Sequence, residues 1–240
     1  MITTTLWNIV KNSGKTFART KSLQEVINSM FYSKNKVIIE PGYINYVVTK
    51  DNNKYYMSKL LDTVRQVQQD YIFDDIREAD IVIDIGACIG GFCIPASRRA
   101  KYVYAVEPMT PDMLRENVLL NKRDNIDVLE IALGDGKTAK LEWLGESKTV
   151  KTKTLSEIIS FCGGCDFLKC DCEGWEWFIQ PDEIKGIRRI EMEYHKCNPS
   201  RFKEELLLNA LSEHFELTIS KWQHPVNAIG MIHARNKEIE

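Results

Sequence analysis

The spacing of apolar and polar positions changes near residue 76. Apolar residues recur at helical intervals from Leu23 to Phe31, and KLLDTVRQVQQDYIF shows the same periodicity. Between these stretches, VIIE, YINYVVTK and KYYMS are rich in β-branched and aromatic residues and are separated by turn residues, which predicts a hairpin. We expect residues 1–75 to form an N-terminal extension of helix and hairpin, and residues 76–240 to form the main domain.

From residue 79 onward, apolar runs of strand length alternate with helical segments. The five runs are DIVIDIG, YVYAVEP, DVLEIALG, DFLKCDC and RRIEMEYH, with KTAKLEWLG as an extra short strand. Helices are predicted over about 91–100, from Thr110 and Pro111, from Thr154 in a capping box with Glu157, from GWEWFI, and from Asn198 and Pro199. The chain closes with FELTISKW and AIGMIHARN, which read as a hairpin.

This alternation predicts an α/β fold with a mostly parallel sheet, helices on both faces and an antiparallel C-terminal hairpin. Ligands of such sheets bind beyond the carboxyl ends of the strands. The residues that directly follow each strand are therefore the candidates for chemistry.

A glycine-rich turn, Asp84-Ile85-Gly86-Ala87-Cys88-Ile89-Gly90-Gly91, follows the first of these strands. Gly86 allows the chain to turn sharply at the end of the strand. Glu107 follows about 20 residues later, where a carboxylate can accept hydrogen bonds from ribose hydroxyls. A dinucleotide fingerprint needs a glycine where Cys88 stands, so that the backbone can approach a pyrophosphate. S-adenosylmethionine has no pyrophosphate, and its ammonium group favours a nearby carboxylate such as Asp84. We therefore expect S-adenosylmethionine, with a dinucleotide or an ordinary turn as the alternatives.

Charged residues alternate at the ends of the last two parallel strands. Lys169, Asp171 and Glu173 share one direction, and Glu191, Glu193 and His195 do the same on the next strand. Charges at the end of a buried strand are costly unless they are paired or belong to a site. They form either a reactive cleft or an ion-pair cluster.

The segments VIDIGACIGGF, YAVEP, LRENVLLN, ALGD, DFLKCDCEGWE and EMEYH resemble the FkbM-type family of S-adenosylmethionine-dependent methyltransferases. The resemblance covers about residues 79–196 and implies the Rossmann-like, seven-stranded class I methyltransferase sheet. It implies the following cofactor contacts: Asp84, Gly86 and Gly90 on the methionine and ribose side with Ala87, Cys88 and Pro108 beside them, Glu107 on the ribose hydroxyls, and Leu133 and Asp135 at the adenine. Asp171, also a candidate cofactor contact, would face the methyl acceptor with Glu173 and His195.

A hydroxyl acceptor must lose a proton, so a base is expected within hydrogen-bond reach. His195 has the most suitable ordinary pKa, and Asp171 is the rival, with Lys169 beside it. Zinc held by Cys162, Cys165, Cys170 and Cys172, or a divalent cation held by Asp171, Glu173 and His195, is chemically conceivable. We predict no metal, since buried cysteines usually pack as small apolar residues.

The charge composition favours some classes of methyl acceptor over others. Lys and Arg number 32 against 34 Asp and Glu, and this net charge of −2 weakens a nucleic-acid interpretation. We expect a hydroxyl of a small molecule or glycan to be methylated, with RNA as the alternative acceptor if Arg98, Arg99 and Lys101 supply local positive charge. A non-catalytic nucleotide-binding module is the remaining alternative. No apolar run is long enough for a membrane helix, and seven cysteines without an export signal favour a reducing cytoplasm.

Overall fold

The computed structural model describes residues 36–40, 43–56, 58, 60–195, 204–222 and 229–239. The helix expected at 23–31 and the helix start expected at Asn198 and Pro199 lie outside these residues.

The elements follow one another along the chain as thirteen strands, five α-helices and one 3-10 turn within the described residues. They are β1 (Lys36–Glu40), β2 (Tyr43–Val48), β3 (Lys54–Tyr56), α1 (Leu61–Asp70), β4 (Ile81–Ile85), α2 (Cys93–Ala96), β5 (Tyr102–Val106), α3 (Pro111–Leu120), β6 (Ile126–Leu129), β7 (Ala132–Leu133), β8 (Thr138–Trp143), β9 (Glu146–Lys153), α4 (Leu155–Cys162), β10 (Phe167–Cys170), the 3-10 turn Glu176–Phe178, β11 (Arg189–His195), α5 (Glu204–His214), β12 (Phe215–Trp222) and β13 (Ile229–Asn236).

The central sheet has seven strands in the order β12-β13-β11-β10-β4-β5-β6. Strands β4, β5, β6, β10 and β11 are parallel, whereas β13 runs antiparallel to both β11 and β12. The seven-stranded, mostly parallel sheet with an antiparallel C-terminal hairpin confirms the predicted α/β fold class.

Both faces of the sheet are buried, as parallel sheets require. One core cluster joins Val82 and Phe167 of the sheet to residues of α1 and α3. The other joins Ile83 and Leu168 to residues of α4 and α5. Strand β4 contributes Val82 to the first cluster and Ile83 to the second, so its apolar residues are consecutive, whereas the apolar residues of β11 belong to the second cluster alone.

The segment DVLEIALG forms two short strands instead of the single strand expected. It splits into β6 and β7, and β7 pairs with β9, which also pairs with β8 in a small separate sheet. The β8–β9 hairpin turns at Leu144 and Gly145, both with positive φ. β9 escaped prediction because its sequence ESKTVKTK is mostly polar and partly exposed.

Two predicted helices are shorter than expected. The segment after Gly91 contains only the four-residue α2, and Gly90 before it has a φ of 98°, which a helix does not use. The segment after Gly174 forms a 3-10 turn, because the Glu176 side chain accepts the Gly174 N–H at 2.8 Å and holds the chain in a tight loop.

Of the N-terminal helix caps expected at Thr154 and Thr110, the first is present and the second is not. The capping box of Thr154 and Glu157 is present at α4. At α3 the helix begins at Pro111 as predicted, but the Thr110 side chain makes no cap and instead donates to the Cys88 carbonyl at 3.1 Å. Glu107 takes over this task, since its carboxylate accepts the Met109 and Thr110 N–H groups.

The predicted extension at residues 1–75 contains a separate three-stranded sheet, β1-β2-β3, and helix α1. Leu61 and Val64 of α1 belong to the same core cluster as Phe92 of the main domain. The domain boundary at residue 75 stays a prediction, and α1 is positioned to form one wall of the site described next.

Candidate active site

A cavity of about 310 Å³ lies at the carboxyl ends of β4, β5, β10 and β11. Helix α1 and the β8 strand also contribute to its wall. Most of the site residues expected from the sequence line it: Gly86, Ala87, Cys88, Glu107, Pro108, Leu133, Lys169, Asp171, Glu173 and His195. Three expected residues, Asp84, Gly90 and Asp135, are not part of the lining.

The turn after β4 depends on the absence of a side chain at Gly86. Its φ is 75°, and a Cβ at this position would lie 1.7 Å from the backbone oxygen of Asp171. The ends of β4 and β10 therefore come together only over a glycine. At Gly90 an added Cβ would instead meet Ile94, at 2.6 Å, so this glycine serves the packing of the turn against α2.

Glu107 shapes the same turn from the end of β5. Its carboxylate accepts three backbone N–H groups, from Cys88 at 2.7 Å, Met109 at 2.6 Å and Thr110 at 2.8 Å. Burial raises the pKa of Glu107, and these hydrogen bonds oppose that rise. The side chain is fixed in orientation and still lines the cavity.

Asp84 lies beneath the cavity and is fully buried. One oxygen is 3.1 Å from the Lys169 ammonium, and the other accepts the Cys93 N–H at 3.1 Å. Lys169 and Asp84 are direct register partners on β10 and β4, so their side chains share one face of the sheet. The expected direct contact of Asp84 with a methionine group is therefore replaced by a buried ion pair.

Lys169 connects this ion pair to the backbone of the Gly86 turn. Its ammonium donates to the carbonyls of Gly86 at 2.8 Å and Ile85 at 3.2 Å, and it lies 3.9 Å from Asp171. Burial lowers the pKa of Lys169, but the carboxylates of Asp84 and Asp171 outweigh burial and the pKa is raised. Lys169 is thus a permanent cation that positions the glycine turn, and not a proton carrier.

Asp135 lies outside the cavity, on the surface. Its carboxylate pairs with Lys137 at 3.1 Å, and the hydrogen bond from that lysine lowers the pKa of Asp135. The adenine side expected near this residue is represented in the cavity wall by Ala132 and Leu133. Asp135 misses the wall because β7 ends at Leu133 and the chain then leaves toward β8.

His195 is surrounded by carboxylates at the deep end of the cavity. Its Nδ1 is 3.4 Å from Glu176 Oε1, and its Nε2 is 3.5 Å from Glu193 Oε1 and 3.6 Å from Glu173 Oε2. Glu176 is fully buried and accepts the backbone N–H groups of His195 and Gly174. This carboxylate therefore holds the loop and lies beside Nδ1 of the histidine ring.

These neighbours determine the charge of His195. Burial lowers the pKa of the imidazole, but the interaction with Glu176 and the charges of Glu173 and Asp171 raise it to about 9. A histidine with this pKa is already protonated at neutral pH. The expected role of His195 as a proton acceptor is therefore not supported by its surroundings.

Glu193 is a cavity residue that the sequence analysis did not count among the site residues. Its Oε2 accepts the Tyr71 hydroxyl at 3.5 Å. Burial and the Asp171 carboxylate raise the pKa of Glu193 to about 8, against the opposing effect of His195. The signal was present in EMEYH, where Glu193 and His195 share one side of the strand, but the ordinary pKa of histidine favoured His195 alone as a catalytic candidate.

Aromatic side chains form part of the cavity rim. Trp143 donates its indole N–H to Glu173 Oε1 at 3.2 Å, and Trp175 stacks on Phe178 with ring centroids 5.1 Å apart. Both tryptophans line the cavity. Trp177 is buried in the core and donates to the His195 carbonyl at 2.8 Å.

The four cysteines considered for zinc lie in the second core cluster or at its edge. Cys162, Cys165 and Cys170 are buried in that cluster, and Cys172 packs against it. The Cys170 and Cys172 sulfurs are 3.6 Å apart. Within the described residues, no group of three metal-ligating side chains includes any of these four.

Comparison with known proteins gives partial matches. No family model matches the chain, so the FkbM resemblance stays a prediction. The chain is 30% identical over 100 residues to a probable ribosomal RNA small subunit methyltransferase A of Methanosphaera stadtmanae, covering 41% of this chain and 35% of that protein. It is 36% identical over 63 residues to a probable cobalt-precorrin-6B C(15)-methyltransferase (decarboxylating) of Methanococcus maripaludis, covering 26% of this chain and 34% of that protein. The chain thus spans about a third of the length of each of these relatives.

Among solved structures, the chain is similar to TYW2 of M. jannaschii, which was crystallised with AdoMet. The TM-score is 0.44 and the identity 17%, and the match covers 84% of this chain and 85% of that one. In the part of the chain that the structure describes, no helix has the length and apolar character needed to cross a bilayer.

Proposed function

We propose that this chain is an S-adenosylmethionine-dependent methyltransferase whose cofactor and acceptor meet in the cavity at the carboxyl edge of the sheet. The observation that carries the proposal is the joint placement of the Gly86 turn, the fixed Glu107 carboxylate and the acidic cluster in one cavity. Its volume of about 310 Å³ is of the size that small-molecule and cofactor sites use.

The residues present fit this cofactor. The backbone of Gly86, Ala87 and Cys88 lines the wall beside Glu107, whose orientation is suited to ribose hydroxyls. In the same cavity, the carboxylates of Asp171 and Glu173 provide negative charge for a cation. Bound S-adenosylmethionine would supply a methyl group on a positively charged sulfur, and acidic surroundings match the charge of its sulfonium and ammonium groups.

The chain's own residues then position an acceptor and receive its proton. Methyl transfer needs a nucleophile held in line with the methyl group, and in this proposal the residues of the cavity wall would hold it there. His195 holds a proton at neutral pH, so it serves as a hydrogen-bond donor to the acceptor. Asp171 and Glu193 are the groups suited to accept a proton, and the raised pKa of Glu193 makes its ionised form the stronger base.

We propose a hydroxyl of a small molecule or glycan as the acceptor. Asp171, Glu173 and Glu193 make this end of the cavity acidic, which disfavours a phosphate backbone nearby. Arg98 and Arg99 precede β5, whereas the cavity lies beyond the other end of that strand, about 13–17 Å of chain away. The expected basic patch is therefore on the opposite edge of the sheet from the chemistry, and Arg99 is already paired with Asp74 at 2.9 Å.

RNA is the second candidate acceptor. It is favoured by the 100-residue match to a probable ribosomal RNA methyltransferase. A single base that enters the cavity without its backbone would be compatible with the acidic rim. A transfer assay with labelled methyl groups on hydroxylated metabolites, glycans and RNA separates the two candidates.

Calorimetric titration with S-adenosylmethionine tests the cofactor proposal. We expect saturable binding of S-adenosylmethionine, none of NAD, and binding at least about tenfold weaker for Glu107→Gln, since a carboxylate lost from a ribose contact costs about 1.4 kcal/mol or more. The matched control is Asp112→Asn, which changes an exposed acid on α3 and should leave binding unchanged. Tight NAD binding, or no binding of S-adenosylmethionine by a folded protein, would contradict the proposal.

A further inference from the structure

We infer that the deep end of the cavity is a binding site for a divalent transition-metal cation, held by Asp171, Glu193 and His195. Each of these residues offers one ligand atom, and the three atoms all lie within 4.8 Å of one another. Ligand atoms on opposite sides of an ion with bonds of about 2.1–2.4 Å are about 4–5 Å apart. The three side chains thus surround a volume of the right size for one ion.

The arrangement of the histidine is a second, independent indication. A metal-bound histidine usually directs its other ring nitrogen at a carboxylate, which fixes the ring. Here Nε2 faces the acidic cluster, while Nδ1 is 3.4 Å from Glu176 Oε1. Glu176 is held in turn by two backbone N–H groups, so the ring is preset with Nε2 toward the cavity.

Charge balance favours a dication over a purely protein ion pair. Among the described residues that line the cavity, Lys169 is the one lysine or arginine, and it is closer to Asp84, at 3.1 Å, than to Asp171, at 3.9 Å. A divalent ion would displace the proton that His195 holds in the metal-free protein and would balance the ionised forms of Asp171 and Glu193. Glu193 is oriented by the Tyr71 hydroxyl, on the oxygen that does not face His195.

The ligand set also indicates which ion. Two carboxylates and one imidazole suit Mn²⁺ or Zn²⁺ better than Ca²⁺ or Mg²⁺, which prefer oxygen alone. Glu173 was the third ligand in the set considered from the sequence, but its side chain is 59% exposed and one of its oxygens accepts the Trp143 indole. Glu193 takes its place, from the wall of the cavity.

Such an ion would deepen the proposed function, on which this part of the inference rests. A cation at this end of the cavity would bind an acceptor hydroxyl and lower its pKa, so that a methyl group is transferred to an oxygen already partly deprotonated. Metal binding itself does not require that function and is tested without cofactor or acceptor.

The full chain is treated with a chelator, dialysed and then titrated with Mn²⁺. The electron paramagnetic resonance signal of free Mn²⁺ reports how much of the metal is bound. We expect one saturable site, weakened at least tenfold in Asp171→Asn, Glu193→Gln and His195→Ala. Glu176→Gln should weaken binding by about 10–100-fold through loss of the ring's carboxylate partner. Glu142→Gln, which changes another acid of the same cavity wall, should bind as the wild type does.

Three outcomes would overturn the inference: no saturable Mn²⁺ binding at millimolar concentration, equal affinity of wild type and the three ligand variants, or displacement of Mn²⁺ by a simple primary amine at lower concentration than by Zn²⁺. The last would indicate a site for a cationic acceptor. Thermal melts of each variant ensure that a folded protein is compared, and Glu193→Gln preserves side-chain size if His195→Ala does not fold. Binding of S-adenosylmethionine, measured separately, shows whether the proposed function fails independently.

Discussion

The buried pair of Asp84 and Lys169 should dominate the stability of the site. Both side chains are almost fully excluded from solvent, and their charged atoms are 3.1 Å apart. Asp84→Asn would leave the Lys169 ammonium buried without its main counterion. Removal of one partner from a buried pair costs about 3–5 kcal/mol. For a chain of this size we expect the melting temperature to fall by about 6–20 °C.

The chain contains a matched control for this substitution. Asp135 and Lys137 are also 3.1 Å apart, but their side chains are 43% and 80% exposed. Exposed pairs contribute about 0–1 kcal/mol, so Asp135→Asn should change the free energy of unfolding by no more than that. The difference between the two variants isolates burial, because the residue change and the ion-pair distance are the same.

Denaturant unfolding of a double-mutant cycle measures the coupling directly. Lys169→Met should destabilise the protein as Asp84→Asn does, and the double variant should be less destabilised than the sum, because neither charge remains unpaired. Loss of the Lys169 hydrogen bond to Gly86 should also weaken S-adenosylmethionine binding. If Asp84→Asn costs less than about 1 kcal/mol, or if the cycle is additive, the ion pair does not organise the turn.

Three further predictions concern the turn and the acidic cluster. Gly86→Ala should prevent stable folding or abolish cofactor binding because of the 1.7 Å approach to the Asp171 oxygen, whereas Gly145→Ala, at φ 80° with no atom within 4 Å, should cost only about 1–2 kcal/mol in a thermal melt. The pKa of His195 in metal-free protein, followed by NMR, should be near 9 and should fall toward 6.5 in Glu176→Gln; an unchanged value would contradict the assigned cause. The pKa of His195 is higher in the folded state than in the unfolded chain, so protonation of His195 stabilises the fold. This stabilisation is complete below the unfolded pKa of about 6.5 and is lost as pH rises through about 9. In denaturant unfolding, the wild type should therefore lose more stability than His195→Gln between about pH 7 and pH 9.

The sequence predicted those parts of the fold that hydrophobic burial determines alone. The strand at Ile81–Ile85 is buried and is apolar except for Asp84, so its run is visible without any partner. In the strand at Arg189–His195, Ile190, Met192 and Tyr194 alternate with charged residues, and this two-residue period is equally visible. β9 has no such signal, because its position depends on β7 and β8 and most of its side chains remain at least partly exposed. Turns that are held by side chains could not be predicted from the sequence either. The 3-10 turn depends on a hydrogen bond from the Gly174 N–H to the Glu176 carboxylate, and helix or strand propensities do not predict such a bond.

Site residues were predicted where position along one strand sufficed. Gly86, Glu107 and Asp171 each follow directly after a strand, and each lines the cavity. Asp84 also stood at a strand end, yet its role depends on the residue beside it on β10. In the observed register that residue is Lys169, which removes the Asp84 carboxylate from the cavity.

The same strand register explains why acidic side chains line the cavity although the Asp84–Lys169 pair beneath it has no net charge. Lys169 also lies opposite Glu191 on β11, but Glu191 is engaged by Arg189 and His233, so Lys169 remains committed to Asp84. Asp171 lies directly after β10, and Glu193 lies two residues beyond Glu191 on β11, where its partner on β13 is Met231; both line the cavity. Paired charges inside the sheet thus give way to a carboxylate-rich cavity wall at its edge, which is where we propose that a cation binds.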